Sequence, residues 1–298
     1  QQINIGQFIA ADFVIISIIG SVEKLILNMD KVYDILTSVE KLSKVTESEV
    51  EVQGTVMLSD NQNGVSVLFE NVGFTYGNNV KALEALNLNI VPGDKVCIMG
   101  ESGSGKSTIL RLLTGAFTNF TGSILLDGMP IGNYNLNSIR SQTGILLSQQ
   151  DIFNGTIWEN ITMGSEEIRY EEVTDLVNRC GLTSFVQSLP KGYDTVLDPT
   201  GKRLNSKIRQ DILLLRALLG KKRLLLLEEP LNFLERKYKK NIQDYIFSEE
   251  NATVLIATND ADTAARCNKI IYLQDGVVKA SGNWSAIAPF LNENYGQQ

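Results

Sequence analysis

Apolar residues recur at steps of three and four over residues 22–42, a spacing that predicts a long helix with one apolar stripe. The stripe consists of Val22, Leu25, Ile26, Met29, Val32, Ile35, Leu36, Val39 and Leu42. The preceding residues 8–20 are apolar except for Asp12 and Ser17 and too few to span a bilayer alone. We interpret this N-terminal region as the end of a membrane helix or an amphipathic helix, with a soluble helix packed on the following domain as the alternative.

The polar residues 44–54 separate this helix from a region in which short apolar strands alternate with helices. The pattern predicts strands over residues 65–69, 86–90, 95–99, 123–126, 222–227 and 252–257. It predicts helices over residues 108–113, 136–139, 170–189 and 208–219. Strands that alternate with helices indicate a largely parallel sheet buried on both faces, and we place the domain boundary near residue 50.

The composition narrows the classes of function. The 298 residues are 43% apolar and 20% charged, which is typical of a folded protein. The net charge of -7 argues against a nucleic-acid-binding protein, since neutralising phosphates requires a basic face. Three scattered cysteines favour a reducing setting over a disulfide framework. The chain has no histidine, which excludes Ser-His-Asp hydrolysis and histidine-ligated metals.

The stretch GESGSGKST, residues 100–108, fits the pattern GxxxxGK[ST] between a predicted strand and a predicted helix. Its glycines let backbone N–H groups point at phosphate oxygens, and the helix that follows adds its positive end. We expect Lys106 to reach the β- and γ-phosphates and Ser107 to ligate Mg²⁺. The alternative is a glycine-rich structural turn. The predicted nucleotide site comprises Gly100, Glu101, Ser102, Gly103, Ser104, Gly105, Lys106, Ser107 and Thr108.

Two glutamates follow the predicted strand 222–227. Glu228 lies at the carboxyl edge of that strand, where it can hold magnesium through water. Glu229 comes one residue later, placed to polarise an attacking water. The alternative for Glu229 is that it only coordinates or has no role in the reaction.

These motifs, in this order, resemble the ATP-binding domain of ABC transporters, of the exporter type in which membrane and ATPase domains share a chain. FENVGFTYG carries Tyr76 where the family's adenine-stacking aromatic lies, although a strand aromatic is the simpler alternative. SQQDIFNGTIWENI resembles the Q-loop, whose glutamine is Gln149 or its neighbour Gln150. LPKGYDT resembles the run before the family's signature, and DGVVKASG resembles its closing hairpin.

The resemblance implies an α/β P-loop NTPase fold: a RecA-like mixed sheet with helices on both faces, an antiparallel β subdomain and a helical subdomain, preceded by a long N-terminal helix. Residues 1–45 would be the end of a transmembrane helix and its cytoplasmic extension, and residues 46–64 a linker. Residues 65–290 would be the ATP-binding domain, with the helical subdomain at about 138–205, and residues 291–298 a tail. Five further membrane helices would be expected upstream, so the chain is expected to be a fragment or the product of a truncated gene.

Several positions depart from the family pattern. Residues 204–208 read LNSKI where the family has LSGGQ, so Ser206 and Lys207 replace two glycines and make close approach to a γ-phosphate harder. Asn205 and Ser206 keep polar side chains for a partner's nucleotide, and Lys207 could offer a charge. Asn259 replaces the switch histidine; its amide can donate a hydrogen bond to phosphate, but it cannot take up a proton or a positive charge in this role. Three smaller departures are Glu228 for the Walker B aspartate, Glu235 for the D-loop aspartate and Pro199 for an acidic residue.

The resemblance further implies the cofactors ATP and Mg²⁺. It implies a homodimer or heterodimer with another ABC ATP-binding domain, a transmembrane domain of an exporter as partner, and no nucleic acid. It places the protein in the inner (cytoplasmic) membrane with the ATP-binding domain on the cytoplasmic side. The implied catalytic residues are Glu229, Lys106, Gln149 and Asn259, and the implied metal-binding residues are Ser107, Gln149 and Glu228.

We expect ATP hydrolysis to be slow, because losing one transition-state donor costs about 10²- to 10³-fold in rate. One alternative is a regulatory half that holds ATP and rarely cleaves it. A remote alternative is a soluble P-loop ATPase or kinase.

Overall fold

The computed structural model describes residues 4–47, 51, 54–61, 63–77, 79–197, 205–249 and 251–295. The chain divides into two compact units, Gln1–Val52 and Gln53–Gln298. Pro199 and Leu204, which entered the comparison with the family's motifs, lie outside the described residues. The predicted domain boundaries stay predictions.

The first unit is built on helix α1, Ile5–Thr46. It joins the apolar residues 8–20 and the stripe of residues 22–42 into one continuous helix, which confirms the long N-terminal helix. Its large apolar side chains, from Ile5 to Leu42, are exposed. Among the described residues, Ile5–Lys44 is the one helical stretch long and apolar enough to cross a membrane.

The second unit is built from strands and helices in alternation. Its strands are β1 Val67–Thr75, β2 Lys81–Ile90, β3 Lys95–Gly100, β4 Thr121–Leu126, β5 Met129–Pro130, β6 Thr143–Leu146, β7 Gly155–Thr156, β8 Val196–Leu197, β9 Leu224–Glu228, β10 Thr253–Ala257, β11 Lys269–Gln274 and β12 Val277–Gly282. Its helices are α2 Lys106–Leu113, α3 Leu136–Ser141, α4 Ile157–Thr162, α5 Tyr170–Cys180, α6 Thr183–Ser188, α7 Ser206–Leu218, α8 Arg236–Ser248, α9 Ala261–Arg266 and α10 Trp284–Tyr295. Short 3-10 helices occupy Ile131–Asn133 and Gly192–Asp194.

The main sheet has the strand order β12-β11-β3-β10-β9-β6. The five strands from β11 to β6 run parallel, and β12 pairs antiparallel at the edge. A second, antiparallel sheet has the order β2-β1-β4-β5. The predicted parallel sheet and the implied antiparallel subdomain are therefore both present.

Strand β9 shows why the central strands of the sheet are uninterrupted runs of apolar residues. Leu224 and Leu226 pack into a core shared with the antiparallel sheet and α2, whereas Leu225 and Leu227 pack into a second core with α5, α7 and α8. Successive side chains of a strand point to opposite faces, so burying both faces requires an uninterrupted apolar run. The run ends at Glu228, where the strand leaves the core.

The predicted single helix over residues 170–189 is wrong: the structure has two helices, α5 and α6. Gly181 ends α5 in a left-handed conformation with φ of 77°. A side chain there would clash with the ring of Tyr238. The break follows from a C-terminal glycine cap, which apolar periodicity alone does not reveal.

A buried arginine ties the segment before β1 to the core. Arg223 is 7% exposed and donates to the carbonyl oxygens of Ser59 (2.8 Å), Asn63 (2.6 Å) and Gly64 (3.0 Å). It also donates to Asp127 Oδ2 at 2.7 Å. This part of the predicted linker therefore belongs to the second unit.

Candidate functional site

The candidate site lies where the parallel strands β3, β9 and β10 reach their carboxyl ends, the usual edge for ligands in open α/β sheets. The loop from β3 into α2 carries the glycine motif. Gly105 caps α2 with φ of 105°, a conformation that favours glycine, and an added Cβ would come within 2.7 Å of the Ala82 carbonyl oxygen. The first N–H groups of α2 have no carbonyl partner within the helix, so they can donate to an anion.

Lys106 spans this loop. Its Nζ donates to the carbonyl oxygens of Gly100 at 2.6 Å and Glu101 at 2.8 Å. Burial lowers the pKa of the Lys106 ammonium, and the carboxylates of Glu229 and Glu228 oppose that shift. The loop thus holds a half-buried cation near the carboxylates of Glu228 and Glu229. A phosphate bound in the loop would replace the two carbonyl oxygens as the partner of the Lys106 ammonium.

Ser107 and Glu228 bring oxygen ligands together. The Ser107 hydroxyl donates to Glu228 Oε1 at 2.5 Å, and the backbone N–H of Ser148 donates to Glu228 Oε2 at 2.8 Å. A hydroxyl and a carboxylate in contact are the hard oxygen donors that Mg²⁺ prefers. These two residues therefore fit the predicted metal.

Glu229 has an unusual backbone. Its φ is 46°, in the left-handed region, and its N–H donates to the carbonyl oxygen of Ala257 at 2.9 Å. Its carboxylate Oε2 accepts a hydrogen bond from the Thr258 hydroxyl at 2.8 Å. Six other described non-glycine residues share this conformation, so what distinguishes Glu229 is the hydrogen bond that holds its carboxylate.

Asn259 binds the phosphate loop directly. Its Oδ1 accepts from the N–H of Gly100 at 3.0 Å, and its Nδ2 donates to the carbonyl oxygen of Gly100 at 3.0 Å. Both halves of the amide are thus engaged with one backbone residue. Sequence reasoning assigned Asn259 to a phosphate and missed this contact, because the two positions are 159 residues apart.

Tyr76 follows β1 and is half-buried. Its hydroxyl hydrogen-bonds with Thr108 Oγ1 at 3.1 Å, and its ring meets Phe74 and Phe117 edge-on, with centroids 4.8 and 5.9 Å apart. These contacts fix the ring beside the start of α2. Thr108 itself is buried, and its hydroxyl is engaged with Tyr76.

The two Q-loop candidates differ in placement. Gln150 Oε1 accepts from the backbone N–H of Leu147 at 3.1 Å, which folds this side chain onto its own loop. Gln149 is exposed and follows Ser148, the residue whose N–H holds Glu228. The assignment of Gln149 to the metal position stays a prediction.

The remaining loop residues are divided between surface and interior. Ser104 is 4% exposed and its N–H donates to the Glu101 carbonyl oxygen at 3.2 Å. The exposed members of the loop are Glu101, Ser102 and Gly103.

Residues 205–207 begin α7 and are used within that helix. Asn205 caps it by accepting from the Lys207 N–H at 2.6 Å. Lys207 Nζ donates to Asp211 Oδ2 at 2.8 Å, and Asp211 is 1% exposed. Burial raises the pKa of the Asp211 carboxyl, and the bond from Lys207 lowers it again. The charge expected from Lys207 is therefore engaged with its own helix. Among the described residues, no hydrogen bond joins Asn205 or Ser206 to the phosphate loop.

Thr258 and Asp211 are the residues that sequence reasoning missed. A signal for Thr258 is its place as the first polar residue after the apolar strand β10, at the same edge as the glycine loop. Asp211 stands four residues after Lys207, the spacing of a helical ion pair, and directly before the apolar run Ile212–Leu215 of α7.

Removal of the Asn259 side chain tests its contact with the loop. We expect Asn259→Ala to weaken ATP binding about 3- to 30-fold, since two hydrogen bonds of about 1 kcal/mol each order Gly100. Asn259→His is expected to weaken it as well, because the ring nitrogens cannot pair with the N–H and the carbonyl of one residue. Equilibrium ATP binding measures both. If the variants bind ATP with unchanged affinity but hydrolyse it more slowly, Asn259 would instead act by donating a hydrogen bond to the phosphate.

The sequence and structure of the chain were compared with known proteins. The family model described as ABC transporter matches residues 83–232. The chain is 32% identical over 254 residues to the "Iron-sulfur clusters transporter ATM1, mitochondrial" of Saccharomyces cerevisiae, covering 83% of this chain and 36% of that protein. It is 31% identical over 284 residues to the "Alpha-hemolysin translocation ATP-binding protein HlyB" of Escherichia coli O157:H7, covering 94% of this chain and 40% of that protein.

A solved structure described as "Structure of a bacterial Atm1-family ABC exporter with ATP bound" is also similar. The TM-score is 0.74 at 28% sequence identity, over 87% of this chain and 45% of that chain. This chain therefore spans less than half the length of the relatives it matches.

Proposed function

Since the chain belongs to the ABC transporter family and carries an exporter-type ATP-binding domain, we propose that its phosphate loop binds ATP and that Glu229 drives its hydrolysis. The observation that carries this proposal is the convergence of Lys106, Ser107, Glu228 and Glu229 at one sheet edge. Lys106 offers a cation to the β- and γ-phosphates. The first turn of α2 offers its N–H groups, and Tyr76 offers its ring to the adenine.

In the proposed reaction, a water molecule attacks the γ-phosphorus of ATP. One proton of that water passes to the Glu229 carboxylate, the new bond from oxygen to phosphorus forms, and the bond to the β–γ bridging oxygen breaks. The products are ADP and phosphate. Ser107 and Glu228, with Gln149 beyond them, would hold Mg²⁺, which neutralises charge on the phosphates when bound.

We also propose the setting in which this reaction works. Two ATP-binding domains, from two copies of this chain or from this chain and another, close around ATP, and α1 passes that closure to a transmembrane domain for export. The location is the inner (cytoplasmic) membrane, with the ATP-binding domain on the cytoplasmic side. The supporting observations are the exporter relatives and the length and apolar surface of α1.

We further propose that hydrolysis is slow. The Asn259 amide is engaged with Gly100 and the Lys207 ammonium with Asp211, so Asn259 offers no free donor and Lys207 no free charge to a γ-phosphate. The same observations favour a second function, in which ATP holds two domains together and is rarely cleaved.

Replacing the loop lysine tests the proposed ATP site. We expect Lys106→Ala to weaken ATP binding about 10- to 100-fold, since hydrogen bonds to a charged group are worth about 1.5–3 kcal/mol. Isothermal titration with ATP and Mg²⁺ on the purified chain measures the affinity. Lys279→Ala, an exposed lysine on β12, is the matched control and should bind ATP as the unaltered chain does. Equal affinity in Lys106→Ala would move the nucleotide away from this loop.

A further inference from the structure

We propose that Thr258 is a positioning residue for hydrolysis, holding the Glu229 carboxylate in the orientation from which it accepts a proton from water. This inference rests on the proposed role of Glu229. It assigns to Thr258 no contact with ATP, with Mg²⁺ or with the attacking water.

The hydrogen bonds around Thr258 fix the direction of its hydroxyl proton. Thr258 Oγ1 accepts from the backbone N–H of Asp260 at 3.2 Å and lies 2.8 Å from Glu229 Oε2. A carboxylate only accepts, so the hydroxyl must donate to it. Because the Asp260 N–H occupies a lone pair, the single proton of Thr258 is directed at Glu229. The bond therefore has one polarity and one orientation.

Thr258 is itself firmly placed. It is 3% exposed, and its N–H donates to the carbonyl oxygen of Ile98 in β3 at 3.1 Å. Thr258 directly follows β10, which is hydrogen-bonded to β3 on one side and β9 on the other. Because Thr258 is anchored in the centre of the sheet, it is a rigid support for the Glu229 carboxylate. Hydrogen bonds from such supporting residues fix the orientation of a reacting group more precisely.

The bond to Thr258 leaves half of the Glu229 carboxylate available. Oε2 is taken by the hydroxyl, while among the described residues no hydrogen bond engages Oε1. The left-handed backbone of Glu229 and its N–H bond to Ala257 set the start of the side chain, and Thr258 fixes its end. One oxygen is thus held and the other is free to receive a proton.

Thr258 and Asn259 are consecutive residues that contact different parts of the site. Thr258 reaches Glu229 after β9, while Asn259 reaches Gly100 at the end of β3. Two consecutive residues after β10 therefore support the two halves of the site on either side of that strand. The contacts are separate, so their substitutions should affect different quantities: hydrolysis for Thr258 and ATP affinity for Asn259.

The test uses four variants of the full chain: Thr258→Val, Thr258→Ser, Glu229→Gln and the double variant Thr258→Val/Glu229→Gln. Valine keeps the shape of threonine without the hydroxyl. We expect Thr258→Val to lower kcat about 10-fold with the ATP dissociation constant within about twofold, since a misoriented base loses part of its typical 10²- to 10⁴-fold contribution. Thr258→Ser keeps the donor and should recover most of kcat. In the double variant, the valine should have no further effect.

A matched control separates positioning from stability. Thr253 is a fully buried threonine at the start of β10, whose hydroxyl donates to the Val65 carbonyl oxygen at 2.7 Å, at the opposite end of the strand from Thr258. Thr253→Val should reduce stability without a specific loss of kcat per folded molecule. If Thr258→Val does not fold, Thr258→Ala compared with Thr258→Ser carries the same test.

The outcomes distinguish the inference from the function on which it rests. If Glu229→Gln keeps full kcat, the proposed role of Glu229 fails, and the inference with it. If Glu229→Gln is slow but Thr258→Val is as fast as the unaltered chain, the inference alone is overturned. A full 10-fold loss from valine in the Glu229→Gln background would also overturn it, because Thr258 would then act on another group.

Discussion

Glu229→Gln is expected to lower the rate of ATP hydrolysis by about 10²- to 10⁴-fold, the usual contribution of a positioned general base. Glutamine keeps the size of the side chain and an oxygen that can accept from Thr258, but it cannot take a proton from water. ATP binding should persist, since the loop contacts of Lys106 do not involve Glu229.

Phosphate release and ATP affinity, measured on the same preparation, check this expectation. Glu70→Gln is the matched control, an exposed glutamate on β1 whose substitution should leave both quantities unchanged. Equal rates for Glu229→Gln and the unaltered chain, with ATP still bound, would mean that another group activates the water.

Arg223→Met is expected to reduce the free energy of unfolding by about 3–5 kcal/mol, because it removes a buried guanidinium that pairs with a partly exposed carboxylate and serves three backbone carbonyl oxygens. The substitution leaves the Asp127 carboxylate without its cation and three backbone carbonyl oxygens without their donor. Arg223→Lys should be intermediate, because an ammonium cannot serve four acceptors in a fixed fork.

Denaturant unfolding of the purified chain measures the difference. The matched control is Arg266→Met, which breaks a bond to Asp244 of 2.8 Å between side chains that are 35% and 52% exposed. Such a surface pair is worth about 0–1 kcal/mol. Similar losses in the two variants would show that Arg223 contributes no more than an exposed arginine.

The parts of the site that were predictable are contiguous in the sequence. The glycine loop needs only a strand before it and a helix after it, and both formed where the pattern placed them, as β3 and α2. The run of leucines in β9 predicts a strand buried on both faces, with Glu228 at its end. These predictions depend on local periodicity and turn chemistry, which a single sequence carries.

The contacts of Thr258 and Asn259 depend instead on strand order. Both follow β10, and they reach Glu229 and Gly100 only because β9 and β3 flank that strand in the sheet. Helix periodicity likewise continued through Gly181, where a left-handed cap ends α5. Lys207 was expected to offer a charge to a nucleotide, but its ammonium pairs with the buried Asp211. The burial of Asp211 is a tertiary property, which the sequence alone does not show.

ATP hydrolysis at this site is tested by a single-turnover experiment with the purified chain in excess over radiolabelled ATP and with Mg²⁺ present. We predict that ATP binds and that its γ-phosphate is then released slowly and completely, at a rate that Glu229→Gln reduces by at least 10²-fold. Bound ATP recovered intact after many hours would contradict hydrolysis at this site and leave the ATP-holding function. Absence of ATP binding in the unaltered chain would contradict both the proposed nucleotide site and the hydrolysis that depends on it.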